Sequence, residues 1–215
     1  MFLEYILYPG MLFCLWLVVS LALIPLKAAL SEIRVLVESK ADRDRLTGLW
    51  NRIALFEALD LVVAKSLEEA ISICFIDIDK FKDIIKLHGH DVADATVENV
   101  ANLIIEHTGR KDFIAKYDRE QFVVIYLNCD GITAQGYMES VREAIVLMSD
   151  IEFHTVKITV SIGVCDVRGV QERTPKAILQ AVEQAAYMAK RSGRNRVFRG
   201  DVFLNRLPPP PKWRS

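Results

Sequence analysis

Two aspartates, Asp77 and Asp79, close a short apolar run that begins at Ile71, and they are the first residues here whose types and spacing suggest chemistry. Alternate side chains of a strand share a face, so the pair points one way and can hold a hard cation such as Mg²⁺ through oxygen. The alternative is that acids at a strand end are simply solvated. Glu120, near the tip of an expected hairpin, is a third carboxylate that folding can bring close. Lys190 and Arg194 bracket the end of the last long helical segment. They form a candidate phosphate clamp, or else only complement the helix dipole.

The elements that must position these residues can be read from periodicity. Residues 51–66 and 91–106 have helical spacing, and the run from Ile71 to Asp77 is too short for a helix and reads as a buried strand. Phe113 to Tyr117 and Phe122 to Leu127 read as the arms of a hairpin that turns at Asp118 and Arg119. A helix is expected over 134–149 and a strand over 156–164. Thr174-Pro175 then gives an N-cap with Pro at the first helical position, and Gly193 ends that helix. Strands alternating with helices, plus one hairpin, predict an α/β fold with a mixed sheet flanked by helices.

Composition adds an attachment to this domain. The mean hydropathy is +0.21 although 26% of residues are charged. The apolar excess lies in the 22 uncharged residues from Tyr5 to Leu26, and about 20 apolar residues suffice to span a bilayer as a helix. One transmembrane helix is therefore expected within residues 1–26. A cleavable signal peptide fits less well, because Glu4 and no Lys or Arg precedes the run and no small-residue cleavage pattern follows. Lys27, Arg34, Lys40, Arg43 and Arg45 follow the run, so the bulk of the chain is expected in the cytoplasm of a single-pass membrane protein. Leu26, Leu30, Ile33 and Val37 form a narrow seam on a linker helix over 27–43. The seam suits either a homodimer or packing on the domain's own core. Residues 44–200 carry 23 acids and 20 bases, a balance that argues against nucleic acid as a partner. Cys14, Cys74, Cys129 and Cys165 have no metal or redox spacing and read as small buried hydrophobes. The Pro-rich tail, 201–215, is expected to lie outside the fold.

Five ordered segments carry a resemblance. They are Asp44-Arg-Leu-Thr-Gly-Leu-Trp-Asn-Arg52, Phe75-Ile-Asp-Ile-Asp-Lys-Phe-Lys82, Gly89-His-Asp-Val-Ala-Asp94, Thr159-Val-Ser-Ile-Gly-Val164 and Ala189-Lys-Arg-Ser-Gly-Arg-Asn195. Over residues 44–200 the chain resembles the GGDEF domain of diguanylate cyclases, which condense two GTP into cyclic di-GMP. The resemblance implies a nucleotidyl-cyclase-like fold related to the polymerase palm. It also implies a Mg²⁺ site at Asp77, the backbone of Ile78 and Glu120, and nucleotide contacts at Phe81, Lys82, Asp94, Lys190 and Arg194. Asp44, Arg52 and Asp79 are as readily explained by turn formation and ion pairing as by contact with substrate.

The signature differs from the family pattern. Lys116-Tyr-Asp-Arg-Glu-Gln-Phe122 stands where the family has Arg-Tyr-Gly-Gly-Asp/Glu-Glu-Phe, so Asp118 and Arg119 replace both glycines and Gln121 replaces the second acid. Two side chains there are expected to obstruct GTP, and Gln121 brings no charge to a metal or a proton transfer. Ile85 replaces the guanine-binding Asn, and an unmet hydrogen bond of that kind costs about 1–3 kcal/mol. The inhibitory product site, Arg-x-x-Asp, is reduced to Arg110, one residue out of place, and Asp112. The expectation is a membrane-anchored, catalytically weak or inactive module that binds a nucleotide, GTP or cyclic di-GMP, or a protein partner. The alternatives are an active diguanylate cyclase and a scaffold that binds no nucleotide.

Overall fold

Residues 43–66, 69–109, 112–152 and 157–200 are described by the computed structural model, 149–152 by their backbone alone. The expected membrane span and most of the linker helix (27–42) lie outside the described residues, as do the tail and Arg110. Among the described residues no helix is long and apolar enough to cross a membrane. Arg43, the last residue of the expected linker helix, forms an isolated antiparallel bridge with Trp50.

Helix α1 (Arg52–Lys65) starts where the Asn51 side chain accepts from the amides of Ile53 and Ala54, satisfying two of the free donors of its first turn. Strand β1 (Ile71–Ile78) is buried at all eight positions. Helix α2 (Phe81–His107) follows, then the hairpin β2 (Phe113–Asp118) and β3 (Gln121–Leu127). Helix α3 (Gly131–Glu152), β4 (Val160–Asp166), α4 (Pro175–Arg191) and β5 (Arg196–Arg199) complete the domain. Thr174 accepts from the Ala177 amide and Pro175 opens α4, so that start is as read from the sequence.

The sheet order is β2-β3-β1-β4-β5, antiparallel except for the parallel β4–β5 pair. Its central strand explains the continuous apolar run, because both faces of β1 are covered. Cys74, Ile76 and Ile78 pack with α2 and α3, whereas Ile73 and Phe75 pack with α1 and α4. By alternation Asp77 lies on the α4 side, the side that carries Lys190. The exposed flank of β2 is partly covered by Trp50, whose amide donates to the Ile114 carbonyl and whose carbonyl accepts from Lys116. Trp50 also stacks on Phe113 and lies under the Arg43 guanidinium, 3.3 Å from the ring centre.

Several expectations are corrected. The hairpin turns at Arg119 and Glu120 rather than at Asp118 and Arg119, because Asp118 still pairs with Gln121 across an irregularity in the ladder. Helix α2 begins ten residues before the expected start and is broken at Gly89, whose φ of 85° is not helical. Strand β4 begins at Val160 and runs on to Asp166, and residue 156 is not described. Strand β5 was not expected.

Helix α4 sits hard against β4. A Cβ at Gly163 would run into the backbone of Val182 and Ala186, and neither main-chain segment can yield without moving the helix. Gly163→Ala is expected to destabilise the fold by about 3 kcal/mol, and the urea midpoint of the variant against the parent chain measures it.

Candidate functional site

Asp77 is 4% exposed and its two oxygens are occupied by groups from two other elements. Gln121 Nε2, at the first residue of β3, donates to Oδ2 at 2.8 Å. Lys190 Nζ, in the last turn of α4, pairs with Oδ1 at 2.6 Å. A carboxylate only accepts, so the amide of Gln121 must turn its nitrogen to Asp77. Its Oε1 is then left buried without a hydrogen-bond partner among the described residues. Burial raises the Asp77 pKa, Asp79 adds to the rise, and Lys190 and Gln121 oppose it.

Glu120 lies beside this group. Its carbonyl accepts from the Ile78 amide, which brings the Ile78 backbone against the hairpin tip. Its carboxyl pKa is raised by burial first, then by the charges of Asp77 and Asp118. A cleft of about 260 Å³ joins Asp77, Glu120, Gln121, Lys190 and Lys82, with Tyr187 and Glu183 on its α4 wall. Among the described residues no group of three or more His, Cys, Asp or Glu is arranged to hold a metal. Two carboxylates, a main-chain segment and a buried orphan amide oxygen nonetheless fit Mg²⁺, which commonly takes one or two carboxylates and completes its shell with waters and phosphates.

Asp79 does not join this site. Strand β1 ends at Ile78, and Asp79 turns to β4, where Oδ1 accepts from Ser161 Oγ at 2.7 Å. Its Oδ2 accepts from Thr159 Oγ1 at 2.8 Å and from the Asn195 amide at 3.1 Å. It is neither solvated nor free for a cation. It ties β1 to β4 and to the loop after α4. Asp44 is likewise structural, accepting from the Thr47 amide and hydroxyl, and Arg52 lies over the Tyr117 ring at 4.7 Å.

The expected clamp is divided. Lys190 faces Asp77, whereas Arg194 lines a separate hollow with Lys80 and Lys157. Phe81 is buried at the start of α2, and Lys82 is exposed and lines the Asp77 cleft. Ile85 packs partly against the core and Asp94 is exposed beyond the Gly89 break. At the expected product site Asp112 Oδ2 accepts from the Gly109 amide at 2.8 Å, and a Cβ at Gly109 would meet that oxygen at 2.8 Å. Its carboxylate is turned into its own chain, with a pKa raised by burial. Cys74, Cys129 and Cys165 are free and buried, as expected, and burial raises the thiol pKa of Cys74 well above its ordinary value.

The hairpin tip holds a contact that the sequence did not suggest. Arg119 Nη2 and His90 Nδ1 are 3.0 Å apart, linking the tip to α2 just past its break. Asp118 accepts from the Arg119 amide at 2.8 Å. Neither residue has a left-handed backbone, so this turn does not require the glycines of the family pattern. What the two side chains change is the space and charge above the turn.

The model of the family described as diguanylate cyclase, GGDEF domain, matches residues 41–196. The chain belongs to the GGDEF family. It is similar to the probable diguanylate cyclase DgcT of Escherichia coli K12, 31% identical over 175 residues that make up 80% of this chain and 38% of the relative. Diguanylate cyclase A of Treponema denticola is 34% identical over 142 residues, 66% of this chain and 37% of that protein. The chain thus spans little more than a third of the length of these curated relatives. Among solved structures, the GGDEF domain of DgcB from Caulobacter crescentus, in complex with c-di-GMP, superposes with a TM-score of 0.66 at 28% identity. That match covers 76% of this chain and 96% of the DgcB domain.

A group whose folded pKa is raised adds stability below its unfolded value, and that contribution is lost as the pH rises through the folded value. Glu120, with its raised pKa, therefore burdens this GGDEF domain near neutrality and not in acid. Glu120→Gln is expected to raise the melting temperature by about 1–3 °C at pH 7.5, a small effect because the group is only half-buried. The gain should vanish near pH 4, and melting curves of variant and parent at the two values measure it.

Proposed function

We propose that this GGDEF domain is a catalytically weak or inactive nucleotide-binding module of cyclic di-GMP signalling, held at the inner membrane by residues 5–26 with the domain in the cytoplasm. The observation that carries the reading is the occupancy of Asp77. Both of its oxygens are engaged by the chain's own Lys190 and Gln121, and the position beside it that the family fills with an acid is the neutral Gln121.

Asp77, Glu120 and the Ile78 main chain would hold Mg²⁺, which when bound would neutralise phosphate charge. Lys82 and Lys190 supply cations at the same cleft for a triphosphate. Phosphate binding thus retains its groups. Discrimination of guanine does not, since Ile85 offers no hydrogen bond and Asp94 stands alone and exposed. The hairpin is the greater obstacle. Arg119 reaches across to His90, and Asp118 places a negative charge where a nucleotide's phosphates would approach. Gln121 cannot take a proton from an attacking hydroxyl. Asp112 is committed to Gly109, so inhibitory product binding is also weakened.

Survival of cyclase activity is the second reading. It is favoured by the retention of Asp77, Glu120 and Lys190 in one cleft and by relatives named as diguanylate cyclases. The full chain in detergent separates the two. Incubated with GTP and Mg²⁺ it is expected to form at most traces of cyclic di-GMP, while calorimetry with a non-hydrolysable GTP analogue shows Mg²⁺-dependent binding that Asp77→Ala abolishes. Robust turnover by the parent chain would overturn the proposal, and absence of binding would leave the scaffold reading. Replacing Asp118 and Arg119 by Gly together with Gln121→Glu should raise product formation by about 10²-fold or more, the usual contribution of a positioned proton-transfer group.

A further inference from the structure

The chain leaves the sheet at a fixed point. The Gly200 amide donates to the Val164 carbonyl at 2.8 Å. A Cβ on Gly200 would meet Cys165 Sγ at 2.8 Å and Ala185 Cβ at 3.0 Å, so the backbone here is pressed onto β4 and α4. One residue earlier, Arg199 turns to the other face of the sheet and lies against the first residue of α3, where a Cβ on Gly131 would stand 3.5 Å from Arg199 Cδ. The tail, 201–215, therefore begins beside the start of α3.

Helix α3 presents an apolar face at that place. Six large hydrophobic side chains are exposed among the described residues, and three of them, Ile132 at 69%, Tyr137 at 48% and Leu147 at 62%, are on α3. At about 100° per residue they share one side of the helix, about 140° wide, with Gly136, Ser140 and Ala144 between them. A Cβ on Gly136 would meet nothing within 4 Å, so the helix has an open notch between Ile132 and Ser140. Tyr137, next to the notch, is steadied by Tyr126, with ring centres 5.5 Å apart. Helix α4, which also borders Gly200, exposes no large hydrophobic side chain among the described residues.

We propose that the apolar start of the tail, Val202 to Leu207, docks on this face of α3. Phe203 sits in the Gly136 notch between Ile132 and Tyr137, and Leu207 lies toward Leu147. The reach is sufficient. The seven residues 201–207 span about 23 Å when extended, and the 15 residues from Ile132 to Leu147 rise about 22 Å. Val202, Phe203, Leu204 and Leu207 supply the apolar side chains. Charge agrees, because α3 carries Glu139, Glu143, Asp150 and Glu152 against the single Arg142, whereas the tail carries Arg206, Lys212 and Arg214 against Asp201. Glu143, whose side chain is 68% exposed, lies on the docking side. A tethered segment is present at an effective concentration of about millimolar, which favours it over a second copy of the chain. The expectation that the tail lies outside the fold then holds from Pro208 onward.

Photocrosslinking in the full chain in detergent tests the contact. With p-benzoylphenylalanine in place of Tyr137, which keeps an aromatic ring there, irradiation and peptide mapping are expected to join α3 to residues 201–207 of the same chain. The same probe in place of Gln180, exposed on α4 beside the Ala181 carbonyl that borders Gly200, should give about fivefold less of the tail product. Ile132→Asp, at an exposed position, and Phe203→Asp are each expected to lower the Tyr137 product about fivefold or more, because each removes an apolar contact. Circular dichroism verifies that both variants are folded, and Phe203→Asp alone decides if Ile132→Asp is not. A crosslinked product of twice the chain mass would put a second copy on this face and overturn the proposal. Equal yields from Tyr137 and Gln180, no crosslink to the tail, or an unchanged yield in Phe203→Asp would overturn it as well. No nucleotide is used, so the outcome is independent of what binds in the Asp77 cleft.

Discussion

A carboxylate at the end of a central strand, almost wholly removed from water, is the constraint around which this domain is arranged. Burying an ion costs several kcal/mol even after the protein relaxes, and Asp77 is tolerable only because Lys190 and Gln121 arrive from two directions. Gln121 reaches it through register, since Asp77 and Gln121 are direct partners on β1 and β3. Lys190 reaches it because α4 lies close on β4, the approach that Gly163 permits. A one-residue slip of β1 would turn Asp77 to the α2 and α3 face, where neither partner could follow. The charge therefore helps to specify the alignment of three elements, although the ion pair itself contributes little net stability.

The same arrangement sets the electrostatic terms for any cation. With Asp77 and Glu120 ionised and Lys190 beside them, the cleft carries a net charge of about −1; an acid at position 121 would make it about −2. The attraction for a divalent ion is correspondingly weaker. Lys190 is the adjustable member, because its head is on a flexible stem and its side chain is 31% exposed. It can leave Asp77 for a phosphate by changing rotamer, without movement of the helix. Gln121 cannot, being 4% exposed and held by the ladder. A cation taking Asp77 Oδ1 would have to displace Lys190 from it, because that oxygen already carries the ion pair.

What could be read in the sequence was what local pattern controls. The run from Ile71 announced a buried strand because both faces of β1 are covered, and Thr174-Pro175 announced α4 because cap and Pro act within one turn. The first half of α2 was missed because its first turn follows a left-handed Lys80 with no side-chain cap, and because Gly89 breaks it from the stronger helical period beyond. Strand β5, four residues with an arginine at each end, exists because β4 offers a free edge for it. The site residues follow the same division. Asp77 was recognisable from its place at a strand end, but the roles of Asp79 and Lys190 depend on partners 80 or more residues away. Spacing in the chain could not separate Lys190 from Arg194, and the fold sends them to different hollows.

The hairpin tip shows how a changed signature sequence and an intact fold can coexist. If the glycine pair of the family pattern were needed for the turn, replacing it would strain the backbone and loosen the Asp77–Gln121 register just beyond. Asp118 and Arg119 adopt ordinary backbone conformations instead, and Asp118 caps the turn by accepting from the next amide. The substitutions therefore act on the space above the tip, which Arg119 crosses to reach His90. The two side chains add contacts at the tip without backbone strain. The tip thus keeps the Asp77–Gln121 register and the Lys190 contact in place whatever side chains stand above it.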